Sequence, residues 1–251
     1  MNPIPMIKNS RKIQRGAMLC EASGNPENLL TYLPEIRAKG YDAVVFFPTV
    51  GDAVILEPLC HEADRLGLSV WILTGYMKYQ EEYLVDHPEQ RLVLAKDAHD
   101  QDALSVASWG CPFHPKFKAR YFDLLRTFCK YPAITRIALN DEAFLISGCY
   151  CAYCREAYRS EIGGEMPCKP EPCAADWEDP VWREFLHWRI LRWNRVHGEM
   201  ADVIHGENPS VKAVFLTSPC VELWLNPWRT GVDLSTMIEQ IDGISVDPYY
   251  T

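Results

Sequence analysis

The sequence predicts an α/β protein, a (β/α)8 TIM barrel truncated after about its sixth strand. Three observations predict it. Short apolar runs alternate with longer helical segments, the pattern of a parallel sheet. Polar residues able to do chemistry follow the apolar runs directly: Thr49, Asp141 and Glu142, Thr217 and Asp247. A barrel keeps its active site at that end of its strands. No GxGxxG fingerprint follows the first run, which weakens a dinucleotide-binding fold. The length agrees: the chain has 251 residues, and such a barrel typically needs ~250.

The elements follow in order. Residues 1–14 read as a loose arm, and 15–251 as the partial catalytic barrel, with a cysteine-rich zinc insert around 111 and 149–173. Ala17–Ala22 is a short first strand after Gly16. A helix starts at Asn25-Pro26-Glu27, with proline near its first turn, and stops at Lys39-Gly40, a basic residue followed by a C-terminal glycine. Tyr41–Pro48 is almost continuously apolar, as a strand buried on both faces requires. Helix 52–66 closes at Leu66-Gly67, and Leu68–Thr74 is a third buried strand. Gly75 to Gly110 carries neither period; a long loop of this kind is functional or disordered, and its HPEQRLVLAKDAHDQD is a candidate cap for one end of the barrel. The pattern resumes with helix 115–130, strand Ala133–Leu139, the Trp-rich helix 178–206, strand Val211–Thr217, helix 232–241 and strand Asp242–Val246.

Composition narrows the partners. A net charge of −9 argues against nucleic acid, whose binders present a basic face. No apolar run approaches the ~20 residues of a membrane helix. The start MNPIPMIKNSRKIQRG is basic but has no apolar stretch behind it, so it is not read as a secretory signal. Eight tryptophans and twelve tyrosines could serve as flat sugar platforms or as ordinary packing; Trp71, Tyr76, Trp109 and Trp224 are the candidates.

Ten cysteines without a signal peptide indicate a reducing, cytoplasmic setting, where thiols hold metal more often than they form disulfides. Cys149, Cys151 and Cys154 form C-x-C-x2-C. Three thiolates this close in sequence can converge on one tetrahedral ion. Cys111, in WGCPFHP, is the best fourth ligand, with His114 as an alternate. Four thiolates leave no open position for water, so the zinc is structural. Cys168 and Cys173 either replace one ligand, form a second partial site, or are plain loop thiols. Cys20, Cys60, Cys129 and Cys220 read as small buried hydrophobes.

ITRIALNDEAF sets Asn140, Asp141 and Glu142 at the mouth of a buried strand. A glycosidase needs one carboxylic acid to protonate the leaving oxygen and a second carboxylate to attack the sugar or activate water. Glu142 is the candidate acid/base, and Asp141 the alternative. A plainer reading makes either a helix cap.

These residues together resemble the glycoside hydrolase family 42 β-galactosidases and related glycosidases of clan A. Three linked features carry the resemblance: Cys111-Pro112-Phe113-His114-Pro115, Glu142 after the fourth strand, and Cys149, Cys151 and Cys154 followed by Tyr158-Arg159. The Trp-rich DWEDPVWREFLHWR is similar to the helix that follows in such proteins. The resemblance covers about residues 15 to 250, with motif-level similarity over roughly 80–225. It implies a retaining O-glycosyl hydrolase acting on a β-glycoside such as a β-galactoside. Asn140, Asp141, Asp247 and Tyr249 are then the implied sugar contacts, and a homo-oligomer is left open. Two departures stand out. The clan places Asn directly before the acid/base, where this chain has Asp141, so either Asp141 takes over the sugar contact or the chain belongs to a neighbouring family. The clan's nucleophile ends the seventh strand, beyond residue 251, so the barrel's front part alone need not be active. The competing reading is a non-catalytic carbohydrate-binding or scaffold protein with a structural zinc; a zinc hydrolase needs an open metal position that a thiolate cluster does not leave.

Overall fold

The computed structural model describes residues 14–19, 27–48, 53–75, 81–93, 109–140, 149–168, 178–217 and 233–246. Six strands carry the fold: β1 Gly16–Leu19, β2 Ala43–Phe46, β3 Ser69–Thr74, β4 Ile134–Asn140, β5 Lys212–Thr217 and β6 Gly243–Val246. They form one sheet in the order β1-β2-β3-β4-β5-β6, and every neighbouring pair is parallel. Parallel neighbours in strict sequence order are the arrangement of successive units in a (β/α)8 barrel. The α/β class and the partial-barrel reading therefore hold.

The helices are α1 Glu27–Ala38, α2 Ala53–Arg65, α3 Glu81–Asp86, α4 Pro115–Cys129, α5 Ala152–Glu161, α6 Pro180–Glu207 and α7 Leu234–Met237. Their ends follow local chemistry. Gly40 and Gly67 sit at φ 76° and 66° just beyond α1 and α2, a left-handed turn that glycine adopts without a Cβ penalty. Pro115 and Pro180 open α4 and α6, where the missing N–H would have had no partner. Asp179 caps α6 by accepting from the amides of Val181 and Trp182.

Side-chain alternation divides the sheet into two faces. Val44, Phe46, Val70, Ile72, Ile137, Leu139, Ala213 and Phe215 belong to the main core, which they share with the helices. Leu73, Ala138 and Leu216 form a separate small cluster with Val45 and Phe47 on the opposite, concave face. Deeper on that face the Arg136 guanidinium lies 4.1 Å from the centre of the Trp71 ring, and the ring edge covers Gly16, where a Cβ would meet it at 2.8 Å. The pairing shifts register between Val70 and Trp71, which face Ile134 and Arg136. Thr135 is therefore an extra residue, and a bulge of this kind re-aims the side chains beyond it.

Two expectations need correction. The stretch from 75 to 110 is not without structure: α3, a 3-10 turn at Pro88–Gln90 and an antiparallel bridge between Arg91 and Gly110 lie within it. The helix expected over 232–241 is a single turn, α7, because Asp233 starts it by bonding the Ser235 amide and the chain turns again at 238–240. Trp71, one of the candidate platforms, is half-buried, and its ring is engaged by Gly16 and Arg136, three residues back from the C-terminal end of β3.

Candidate functional site

The four predicted ligands meet. Cys111 lies four residues before the start of α4; Cys149 and Cys151 lie just before α5, and Cys154 is in its first turn. Their sulfurs all lie within 4.8 Å of one another, and all four residues are buried. Cys111 Sγ is 3.5 Å from Cys154 Sγ and 3.6 Å from Cys151 Sγ. A disulfide needs about 2.05 Å between sulfurs, so these are separate thiols. Four sulfurs placed tetrahedrally at about 2.3 Å from a zinc ion lie about 3.8 Å apart. The cluster fits a metal ion with little adjustment.

Its electrostatics ask for a cation. Burial, and then the facing Cys149 and Cys151, push the Cys111 thiol up. Cys154 is pushed up by Cys111, Cys149 and Cys151. Cys151 is held low because it accepts from Cys111 first, then from Cys149 and Cys154. Several thiolates side by side in a buried cluster are costly unless a cation neutralises them. A divalent ion reverses this by binding all of them as thiolates. The N-terminus of α5 adds a fixed positive partial charge beside Cys151 and Cys154.

The surroundings are hydrogen-bonded to match. The Val93 amide points at Cys149 Sγ over 3.5 Å, the Cys111 amide donates to the Gln90 carbonyl at 2.7 Å, and the Tyr150 amide to the Val93 carbonyl at 2.7 Å. Gln90 is itself buried, and its side-chain carbonyl accepts from the Tyr83 hydroxyl at 2.8 Å. Residues 90–93 are therefore bonded to both halves of the cluster.

The other expectations divide. His114 stands outside the thiol group, its ring 5.5 Å from that of Tyr153. Cys168 is half-buried against a second aromatic cluster of Tyr150, Tyr158, Trp182, Phe185 and Trp188 and is not among the four. Trp109 packs partly buried on the main core. Cys60 and Cys129 are buried in that core, as expected of small hydrophobes. Asn140 is the last residue of β4 and pairs with Leu216 of β5. Thr49, Tyr76, Asp141, Glu142, Trp224, Asp247 and Tyr249, with Cys20, Cys173 and Cys220, lie outside the described residues. Helix α5 was missed as an element, although Cys154 and Tyr158, buried at a spacing of four, are its signal. Nothing in the sequence pointed to Val93.

No protein-family model matches the chain, and no curated protein does. Solved structures do. The PgaB (BpsB) glycoside hydrolase domain from Bordetella bronchiseptica is 12% identical with a TM-score of 0.67, over 93% of this chain and 74% of that one. A polyextremophilic β-galactosidase from the Antarctic haloarchaeon Halorubrum lacusprofundi is 14% identical with a TM-score of 0.66, over 94% and 40%. A β-galactosidase from Rahnella sp. R3 is 14% identical with a TM-score of 0.62, again over 94% and 40%. The chain thus spans about three-quarters of the first and two-fifths of the two β-galactosidases. At these identities the likeness is one of fold: the chain has a glycosidase-like barrel fold.

Proposed function

We propose that this chain carries part of the catalytic barrel of a retaining β-glycosidase, with Glu142 as acid/base and a structural zinc held by Cys111, Cys149, Cys151 and Cys154. The observation that carries the catalytic part is the end of β4 at Asn140, two residues before Glu142, in a sheet whose solved likenesses include β-galactosidases. Catalytic groups of such barrels leave the C-terminal ends of the strands.

In this reading Glu142 first protonates the departing glycosidic oxygen while a second carboxylate attacks the anomeric carbon. The sugar–enzyme ester is then hydrolysed by a water that Glu142 deprotonates. The same group serves in both steps because the first leaves it ionised. Asn140 and Asp141 contact the sugar hydroxyls, with Asp247 and Tyr249 lining the same mouth, and the substrate is a β-glycoside such as a β-galactoside. The attacking carboxylate is not assigned to a residue of this sequence. Zinc takes no part in the chemistry; it fixes the chain on either side of the thiol cluster.

The test is Glu142→Ala in the protein as its gene encodes it, assayed on aryl β-glycosides of graded leaving-group acidity. Loss of a general acid lowers the rate about 100- to 10,000-fold where the leaving group needs a proton. It spares formation of the ester from a dinitrophenyl glycoside, and added azide then restores turnover by replacing the base-activated water. Equal losses on every substrate, with no rescue by azide, would remove Glu142 from this role.

A further inference from the structure

We infer that the thiol cluster clamps together the two loops that follow β3 and β4, and that the Val93 amide is a positioning group of the metal centre. The inference rests on the zinc reading above. The chain leaves β3 at Thr74 and reaches Val93 by way of α3 and the turn at Pro88–Gln90. It leaves β4 at Asn140 and reaches Cys149 and α5. Both segments therefore come after the C-terminal ends of their strands, on the side where a parallel barrel presents its reactive groups.

Three contacts join them. Cys111 enters the cluster from the first loop, while Cys149, Cys151 and Cys154 enter from the second. The Val93 amide donates to Cys149 Sγ, and the Val93 carbonyl accepts from the Tyr150 amide. Within the first loop, the Cys111 amide is held by the Gln90 carbonyl, and the Leu92 amide by the Trp109 carbonyl at 2.8 Å. Residues 90–93, the end of the 3-10 turn and the three residues after it, thus bond the approach to Cys111 along one part and the cysteine knuckle along the other. An N–H directed at a thiolate disperses its charge, and outer partners of this kind hold a ligand in the orientation that the metal needs. One ion held by ligands from both loops makes metal occupancy and the joining of the loops one equilibrium.

The test uses the whole chain. Val93→Pro deletes the amide hydrogen, and Val93→Ala keeps it while trimming the side chain. Zinc affinity by chelator competition is expected to fall about 10- to 100-fold in Val93→Pro and to stay near the wild-type value in Val93→Ala. The sulfur-to-cobalt charge-transfer bands of the cobalt(II) form are expected to shift in the proline variant alone. Hydrogen exchange of the wild-type chain needs no variant to fold. Stripping the zinc is expected to speed exchange at the amides of Val93, Cys111 and Tyr150 while those of Val70 and Ala213, in the sheet, keep their protection. Unchanged affinity in Val93→Pro, or unchanged exchange at the three amides after stripping, overturns the clamp while leaving the metal centre standing. A wild-type chain that takes up no zinc overturns the metal reading and the clamp together.

Discussion

Asp242 shows how much one side chain ties together. Its carboxylate accepts from His205 Nε2 at 2.7 Å, Lys212 Nζ at 3.1 Å and the Ala213 amide at 2.8 Å, so it links α6, β5 and the start of β6. Partial burial raises its pKa, but the bonds from His205, Ala213 and Lys212 together hold it below the usual carboxylate value. A group lowered in the fold stabilises it above the unfolded value of about 3.9 and loses that contribution as pH falls through the folded value. Asp242→Asn should therefore reduce stability by about 1 kcal/mol at neutral pH and flatten the decline below about pH 4, as denaturant titrations across pH would read. An equal acid-side decline in both proteins would place the loss elsewhere. Cys60 and Cys129 make the opposite case. Burial pushes their thiols up to about 12 and about 11, which leaves little thiolate at pH 8. Peptide mapping after brief iodoacetamide treatment should find both unmodified in the native chain and modified after denaturation. At this scale the cysteine cluster was readable because a C-x-C-x2-C spacing brings thiols together. Asp242 was not, since nothing local says that a carboxylate will meet partners 29 to 37 residues back in the chain.

Elements were readable in proportion to their periodicity. The strands β2, β3 and β5 stand out as continuous apolar runs because both of their faces are covered, and their boundaries agree to within two residues. The stretch 75–110 failed for the converse reason: α3 is six residues long, too short to show a helical period, and 90–93 is ordered by partners rather than by pattern. Helix α6 carries two different environments. Its first half supplies Trp182, Phe185 and Trp188 to the aromatic cluster beside α5, and its second half supplies Trp193, Met200 and Ile204 to the main core. A 28-residue helix spans about 42 Å, enough to bind the cysteine-bearing segment to the barrel. Helix α4 is seated by a close approach: Phe117 lies so near Gly110 that a Cβ there would stand 2.0–2.5 Å from its ring atoms. Gly110→Ala must displace Phe117, which is almost wholly buried, and overpacking of this kind costs about 1–3 kcal/mol. A shift in the denaturant midpoint toward lower concentration measures it. An unshifted midpoint would mean that the ring moves freely.

Over the whole molecule, the alternation of strand and helix implied a parallel sheet, and its sequential order makes that sheet part of a barrel. Which residues face the concave side was not readable, because strands apolar on both faces do not announce which is inward. The extra residue Thr135 in β4 changes the alternation as well. The likeness to glycoside hydrolases extends over more than nine-tenths of the chain at 12–14% identity, so the fold is shared where almost all of the sequence is not. The resemblance of the motifs points to retention of configuration, and that is open to direct observation. Proton NMR of the anomeric signals during hydrolysis of an aryl β-galactoside, by the protein as its gene encodes it, should show the β-anomer of the released sugar first, with the α-anomer growing in only by mutarotation. First release of the α-anomer, or a zinc-loaded protein that leaves every aryl β-glycoside intact, would contradict a retaining glycosidase built around Glu142.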